Sequence, residues 1–198
     1  MNKALCGSTI PYVLIDTVTN EGCFKARTRA IERSRGEYIA IVDSDDISLL
    51  NRFQKQLEIM ENDESVFCCG SWAHKMDKNG NILGVMDYPP QNNKLIVKKI
   101  LNDITSNPII DPTVMFRKSV FYELGGYSFS NDRNLVADMD LWFRALISDK
   151  IFVNIQEPLV FYRINPGGNT VSKKREMIRQ HVKVRNDFIK GIKSIFVE

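Results

Sequence analysis

A short apolar run that ends in a cluster of acidic residues most constrains the fold of this chain. Residues 37–48 are EYIAIVDSDDIS, in which the apolar stretch is followed by Asp43, Asp45 and Asp46. A segment that is apolar on successive residues is typical of a strand covered on both faces, as in parallel sheets. Carboxylates this close together repel one another unless a positive charge or water separates them. The sequence therefore predicts a buried strand that carries a charged site at its carboxyl end.

The neighbouring segments alternate between strand and helix patterns. Residues 11–18 (PYVLIDTV) are predicted to form a short buried strand, and residues 20–36 a helix that ends at Gly36. A second helix is predicted over 48–63. Its apolar side would consist of Leu49, Phe53, Leu57 and Met60. This order predicts an α/β sheet with parallel strands, in which ligands bind at the carboxyl ends, where the acidic cluster lies.

The rest of the chain adds further elements and a long last helix. The predicted elements are a hairpin around Lys78-Asn79-Gly80, helices over 92–103 and 138–148, a strand, short helix and Gly-Gly turn within 111–127, one or two strands around Pro158 within 150–164, a loop over 165–172, and an amphipathic helix over 173–196. We expect residues 1–172 to form one domain and residues 173–198 a basic carboxyl-terminal helix.

Composition excludes several classes of function. The chain has 198 residues, enough for one domain, and a formal net charge of +3, which is too small to indicate a nucleic-acid-binding protein. It contains no apolar run of about 18 residues and no convincing signal peptide, so we expect a cytoplasmic protein. The cysteines form no C-x-x-C pair and only two histidines are present, which argues against zinc and favours reduced thiols.

The acidic cluster has two interpretations. Alternation along a strand would aim Asp43 and Asp45 in the same direction. Convergent carboxylate oxygens suit Mg²⁺ or Mn²⁺, which proteins hold through one or two carboxylates while substrate phosphates complete the coordination. The alternative is structural, because Asp46 or Ser48 could cap the following helix.

Five short blocks follow one another along residues 20–172: NEGCFKARTRAI, GEYIAIVDSDDIS, GGY, DMDLW and PLVFYRI. A lone D-x-D motif is a weak signal, whereas five ordered blocks are a strong one. Together they resemble the family 2 glycosyltransferases. The resemblance implies a GT-A-like fold, with a mixed, mostly parallel sheet flanked by helices. It also implies transfer of a sugar from a nucleotide-diphosphate sugar to an acceptor hydroxyl, with inversion at the anomeric carbon.

The same resemblance implies roles for individual residues. Asp45 would hold Mg²⁺ or Mn²⁺ on the donor diphosphate, and Asp43 would lie near the ribose or the donor sugar. Asp138 would be the general base; its position at a helix N-terminus favours the ionised form. Arg27 and Arg163 would contact the donor. A helix-end charge is the alternative for Asp138, and a structural ion pair is the alternative for Arg163.

The acceptor side is less specified. Trp142 and Asp140 follow on the same predicted helix and are candidate acceptor contacts, although the spacing of Trp142 also fits core packing. The acceptor would be a glycan, a lipid-linked sugar or a protein. The last helix is predicted either to touch a membrane surface or to pack on its own domain.

The chain departs from the family pattern at three places. It begins at Met1 where the amino-terminal part of the nucleotide-binding half would already have passed. Ala137 replaces the first carboxylate of an expected pair, and Asp111 and Thr28 stand where histidine and asparagine are frequent. These departures support an alternative function, a truncated and catalytically inactive binding or assembly module. A Mg²⁺-dependent phosphatase with Asp43 as nucleophile is a third hypothesis, but the small Gly-Thr turn that such enzymes present is missing.

Overall fold

The computed structural model describes residues 11–103, 107–165, 167 and 172–195. The described elements, in chain order, are α1 (Cys23–Arg33), β1 (Tyr38–Ala40), β2 (Ile47–Ser48), α2 (Arg52–Asn62), β3 (Val66–Met76), β4 (Ile82–Met86), α3 (Asn93–Asn102), a 3₁₀ turn (Asp111–Thr113), β5 (Met115–Arg117), α4 (Lys118–Glu123), α5 (Ala137–Ile147), β6 (Ile151–Arg163) and α6 (Lys174–Ile195).

The six described strands belong to one sheet, in the order β1-β5-β3-β6-β2, with β4 paired to β3. The longest pairing, between β3 and β6, is parallel and runs from Val66 opposite Ile151 to Met76 opposite Arg163. The other pairings are antiparallel. The expected mixed sheet flanked by helices is confirmed, with the parallel pairing at its centre, but, contrary to expectation, the described pairings are not mostly parallel.

The main core packs aromatic side chains of the sheet against α5. Trp142 of α5 is fully buried, and its ring lies 5.8 to 6.1 Å from the rings of Phe67, Phe116 and Phe152. The last helix packs on the same helix, with the ring of Phe188 4.7 Å from that of Phe143. Packing of α6 on its own domain, one of the two alternatives, is therefore observed.

A polar network lies under the sheet where an apolar helix face was predicted. In α2, Arg52 and Gln56 are fully buried. The predicted apolar side is confirmed at Met60, which is fully buried, and wrong at Phe53, which is 44% exposed. The Arg52 guanidinium donates to the carbonyls of Ile41 and Val114 at 2.9 and 3.1 Å. Ile41 follows the end of β1, and Val114 precedes the start of β5. Arg52 therefore satisfies the buried Ile41 carbonyl and adds a second donor to the Val114 carbonyl, which also accepts from the Ile41 amide.

The predicted first strand is wrong. Residues 11–18 have no regular structure, and Val13 and Val18 are exposed. β1 pairs only with β5 among the described residues, so no ladder holds this segment. The predicted strand over 37–43 is shortened to Tyr38–Ala40, because only Ile41 adds one more bond, to Val114, before the chain leaves the sheet.

Most other predicted elements are confirmed. The hairpin turn is closed by the Gly80 amide, which donates to the carbonyl of Asp77. β6 continues through Pro158 as one strand, with a register shift beside it. Cys6, Phe196 and most of the predicted loop over 165–172 lie outside the described residues.

Candidate functional site

The acidic loop, residues 43–46, is a turn rather than the end of a strand. The Asp46 amide donates to the carbonyl of Asp43 at 3.1 Å. Strand alternation therefore does not apply, and the prediction that Asp43 and Asp45 point the same way from a strand is wrong. The Asp43 carboxylate accepts a hydrogen bond from Arg27 at 2.6 Å, whereas Asp45 is exposed.

Arg27 of α1 joins two carboxylates that are far apart in sequence. Its Nη2 donates to Asp43, and its Nη1 donates to Oδ2 of the buried Asp111. Burial alone would lower the pKa of Arg27, but the charges of Asp111 and Asp43 raise it above its ordinary value. The guanidinium is therefore a permanent positive charge between the acidic loop and the 3₁₀ turn.

Arg163, at the end of β6, holds the acidic loop against the β3–β4 hairpin. Its amide donates to Oδ1 of Asp46 at 2.8 Å, and its guanidinium donates to the carbonyls of Asp45 and Asp77 at 2.8 and 2.9 Å. Burial and the charges of its two acidic neighbours raise the pKa of Asp46 to about 6, although the bond from Arg163 opposes this. Asp46 and Ser48 do not cap α2, because Asn51 occupies that position.

Asp138 lies in the first turn of α5, as predicted, but its environment is not the expected one. Burial and the charge of Asp111 raise its pKa to about 7, while the Met139 amide and Arg27 oppose the shift. Removal of water from the charged form therefore outweighs the helix N-terminus, and the expectation that the ionised form is favoured is wrong. A carboxyl group with such a pKa can both accept and release a proton near neutrality.

Two further side chains complete this region, and sequence reasoning assigned no role to them. Tyr127, after the Gly-Gly turn, is buried next to Arg27, and burial and the charge of Asp111 raise its pKa. Cys23, at the start of α1, is an exposed residue, but partial loss of water around its thiol raises its pKa, and Asp138 and Asp111 add to the effect. We call Arg27, Asp43, Asp111, Asp138, Tyr127 and Cys23 the Arg27 cluster.

One sequence signal could have found Asp111. It stands in the apolar stretch PIIDPTVMF, where a carboxylate is costly unless a positive partner reaches it. Nothing in the local sequence identifies Arg27 as that partner, because the two residues are 84 positions apart.

The burial of Trp142 and Asp140 contradicts the prediction that they contact the acceptor. Trp142 is fully buried in the aromatic core, so its ring has no open face for a sugar. Asp140 is 2% exposed, and its two oxygens form ion pairs with Arg133 and Arg144. Both side chains therefore stabilise the position of α5 in the domain.

The side chains that could act as ligands limit which metal ion this region could hold. Within the described ranges, no three His, Cys, Asp or Glu side chains are grouped to bind an ion. The exposed carboxylate of Asp45, beside the partly buried Asp46, fits a cation that takes most of its oxygen ligands from substrate phosphates and water. In the part of the chain that the structure describes, no helix is long and apolar enough to cross a membrane.

Comparisons with known proteins show which family the sequence matches. The model of the family described as "Glycosyl transferase family 2" matches residues 2–125. An uncharacterized glycosyltransferase of Methanocaldococcus jannaschii is 30% identical over 190 residues, which cover 91% of this chain and 62% of that protein. A UDP-Glc:α-D-GlcNAc-diphosphoundecaprenol β-1,3-glucosyltransferase of Escherichia coli is 28% identical over 81% of this chain and 59% of its own. The chain thus spans about three fifths of the length of these relatives.

A solved structure shows the same fold. The crystal structure of S. aureus TarS 1-349 in complex with UDP-GlcNAc has a TM-score of 0.54 to this chain, at 15% sequence identity. The match covers 76% of this chain and 41% of that one. At this identity the likeness establishes the fold alone.

Proposed function

The chain belongs to glycosyl transferase family 2, and on that premise we propose that it transfers a sugar from a nucleotide-diphosphate sugar to an acceptor hydroxyl, with inversion. The single observation that carries the proposal concerns Arg27. It binds Asp43 of the acidic loop, and its charge also acts on Asp138. This reaction requires two parts. One is a loop that can bind a diphosphate, and the other is a carboxyl group that can accept a proton, here Asp138 with a pKa of about 7.

Asp138 is the proposed general base. It removes the proton from the acceptor hydroxyl while that oxygen forms a bond to the anomeric carbon. The bond from the anomeric carbon to the phosphate oxygen breaks, and the diphosphate leaves with the electron pair. Because no group of the enzyme forms a covalent intermediate, a single displacement inverts the anomeric centre.

The donor side is proposed to lie at the acidic loop. Asp43, held by Arg27, would contact the ribose or the sugar, and Arg163 keeps a positive charge beside the loop that it fixes. Asp45 would hold Mg²⁺ or Mn²⁺, which when bound supplies positive charge to the departing diphosphate. The proposed acceptor is a glycan, a lipid-linked sugar or a protein. The E. coli relative named for a diphosphoundecaprenol-linked acceptor supports the lipid-linked class.

Membrane contact through α6 is a further part of the proposal on partners. The inner side of the helix is occupied by packing, since Val184 and Phe188 are buried. Only its outer, basic side would face a lipid surface, so the contact would be electrostatic and would weaken as salt is added.

The test of the proposed function is turnover of nucleotide-diphosphate sugars in the presence of Mn²⁺ or Mg²⁺. We expect the parent chain to release nucleoside diphosphate, and the Asp45→Ala and Asp138→Asn variants to lose at least about 100-fold in rate. Glu157→Gln, which breaks an ion pair between β6 and Lys55 of α2, outside the Arg27 cluster, is the control and should retain parent activity. Equal rates for all variants would remove the proposed mechanism.

The alternative is a catalytically inactive binding or assembly module. It is favoured by one observation: β1, beside the acidic loop, has a ladder on one side only among the described residues, and the nearby Val42 is 49% exposed. A folded chain that neither binds a nucleoside diphosphate nor turns over any donor would support this alternative.

A further inference from the structure

Asp111 is the most deeply placed charge of the Arg27 cluster, and no role follows from the family match. It is 8% exposed and precedes two fully or nearly buried residues in the 3₁₀ turn before β5. Its Oδ2 accepts from Arg27, while its Oδ1 is buried with no hydrogen-bond partner among the described residues. A buried carboxylate oxygen without a partner lowers the stability of the fold. Such unfavourable charged groups are more common at functional sites than elsewhere.

The turn that carries Asp111 is rigidly held. The Thr113 hydroxyl donates to the carbonyl of Ile110 at 2.7 Å, and the Thr113 carbonyl accepts from the buried Gln56 at 2.7 Å. The Val114 amide closes the turn on the carbonyl of Asp111 at 3.1 Å. Asp111 therefore presents its carboxylate from a fixed backbone, and this fixes the guanidinium that it binds.

We propose that Asp111 is a positioning residue for the transfer reaction: it anchors Arg27 so that the guanidinium holds Asp43, and it sets the charge that surrounds Asp138. This inference rests on the proposed function. Because Nη1 of Arg27 is bound by Asp111, the planar guanidinium keeps one orientation, in which Nη2 points toward the acidic loop. Asp111 thereby connects the donor side of the site with the proposed base.

The charges around Asp138 give the inference a measurable consequence. Asp111 faces it from the 3₁₀ turn, Arg27 and Cys23 from α1, and Tyr127 from the turn after α4. Among these, Asp111 is the negative charge that raises the pKa of Asp138, and Arg27 opposes it. Loss of the Asp111 charge should therefore lower the pKa of Asp138, and loss of Arg27 should raise it.

The experiment is a carboxyl-carbon NMR titration of the full chain, which needs no turnover. The Asp138 signal is identified by its loss in Asp138→Asn. We expect its pKa to fall by about one unit in Asp111→Asn and to keep the parent value in Asp111→Glu, which retains the charge. Glu157→Gln removes a negative charge that is not among those acting on Asp138 and should leave the titration unchanged. An unchanged Asp138 pKa in Asp111→Asn would overturn the inference.

Two further measurements keep the inference falsifiable. If Asp111→Asn does not fold, Arg27→Gln replaces it, and the pKa of Asp138 must then rise; a constant value would overturn the inference. In the active parent, Asp111→Asn should move the acidic limb of the kcat/KM profile to lower pH by the shift that NMR measures, whereas a merely structural defect would lower the rate equally at every pH. A chain without any transfer activity would refute the proposed function, and the titration alone would then decide the role of Asp111 in organising the cluster.

Discussion

Replacement of Asp138 by asparagine tests whether burial controls this carboxyl group. The pKa of Asp138 is raised from 3.8 to about 7, chiefly because burial removes water from the charged form. Each pKa unit corresponds to about 1.36 kcal/mol, so the ionised carboxylate destabilises the folded state by at most about 4 kcal/mol above pH 7. Relaxation of the protein reduces such costs, and we expect Asp138→Asn to gain about 1–2 kcal/mol of unfolding free energy at pH 8.

The pH dependence of this gain follows from proton linkage. Asp138 ionises near pH 4 in the unfolded chain and near pH 7 in the folded one, so the folded state binds more protons between these values. The stability that protonated Asp138 contributes is fully present below about pH 4 and is lost as the pH rises to about 7. The advantage of the asparagine variant should therefore grow from near zero at pH 4 to its full value at pH 8.

Urea unfolding of both proteins at several pH values, followed by circular dichroism, measures this difference. Asp45→Asn, which neutralises an exposed carboxylate of the acidic loop, is the matched control and should change stability by less than about 0.5 kcal/mol at each pH. A gain that does not depend on pH, or an asparagine variant that is less stable than the parent at pH 8, would refute the reasoning.

Three other predictions concern the core and the thiols. Arg52→Met should lower the unfolding free energy by roughly 2–4 kcal/mol in urea unfolding, because the buried Ile41 carbonyl and the side-chain oxygen of Gln56 lose their donor. Phe188→Ala should cost about 3–5 kcal/mol in the same assay, because the ring fills the contact between α6 and α5. Iodoacetamide at pH 9 should modify the exposed Cys23 and spare the buried Cys68 and Cys69 until the chain is unfolded, as peptide mapping by mass spectrometry will measure.

The two mutational predictions each have a control on the same element. Lys55→Met on α2 alters a partly exposed side chain, and Ile178→Ala on α6 shortens an exposed one, so both should stay within about 1 kcal/mol of the parent. Equal costs for Arg52→Met and Lys55→Met, or for the two α6 variants, would contradict the assigned packing. Modification of Cys68 in the native chain would contradict its burial.

The fold could be predicted where local pattern and tertiary packing agree. The helices α1, α3 and α6 lie within their predicted ranges, and α5 begins one residue before its own, because one apolar stripe on each faces the domain. The prediction failed where a strand needs a neighbour: residues 11–18 are as apolar as a strand, but no described strand pairs with them. The polar core of α2 was also missed, since Arg52 is typical of a surface residue until strand-end carbonyls are known to surround it.

The site could be predicted only in part. The ordered blocks gave Asp43, Asp138 and Arg27 as candidates, and the structure joins all three through one cluster. Asp111 was noticed only as a departure from the family pattern. Its importance depends on burial and on the contact with Arg27, which is 84 positions away in sequence, and neither is encoded in a local motif.

The central claim is that the acidic loop binds the diphosphate while Asp138 serves the acceptor. Calorimetric titration of UDP and GDP into the chain with Mn²⁺ tests it most directly. The account predicts saturable, metal-dependent binding of one nucleotide that is lost in Asp45→Ala and retained in Asp138→Asn. Absence of binding to the folded parent, or equal binding by parent and Asp45→Ala, would contradict it.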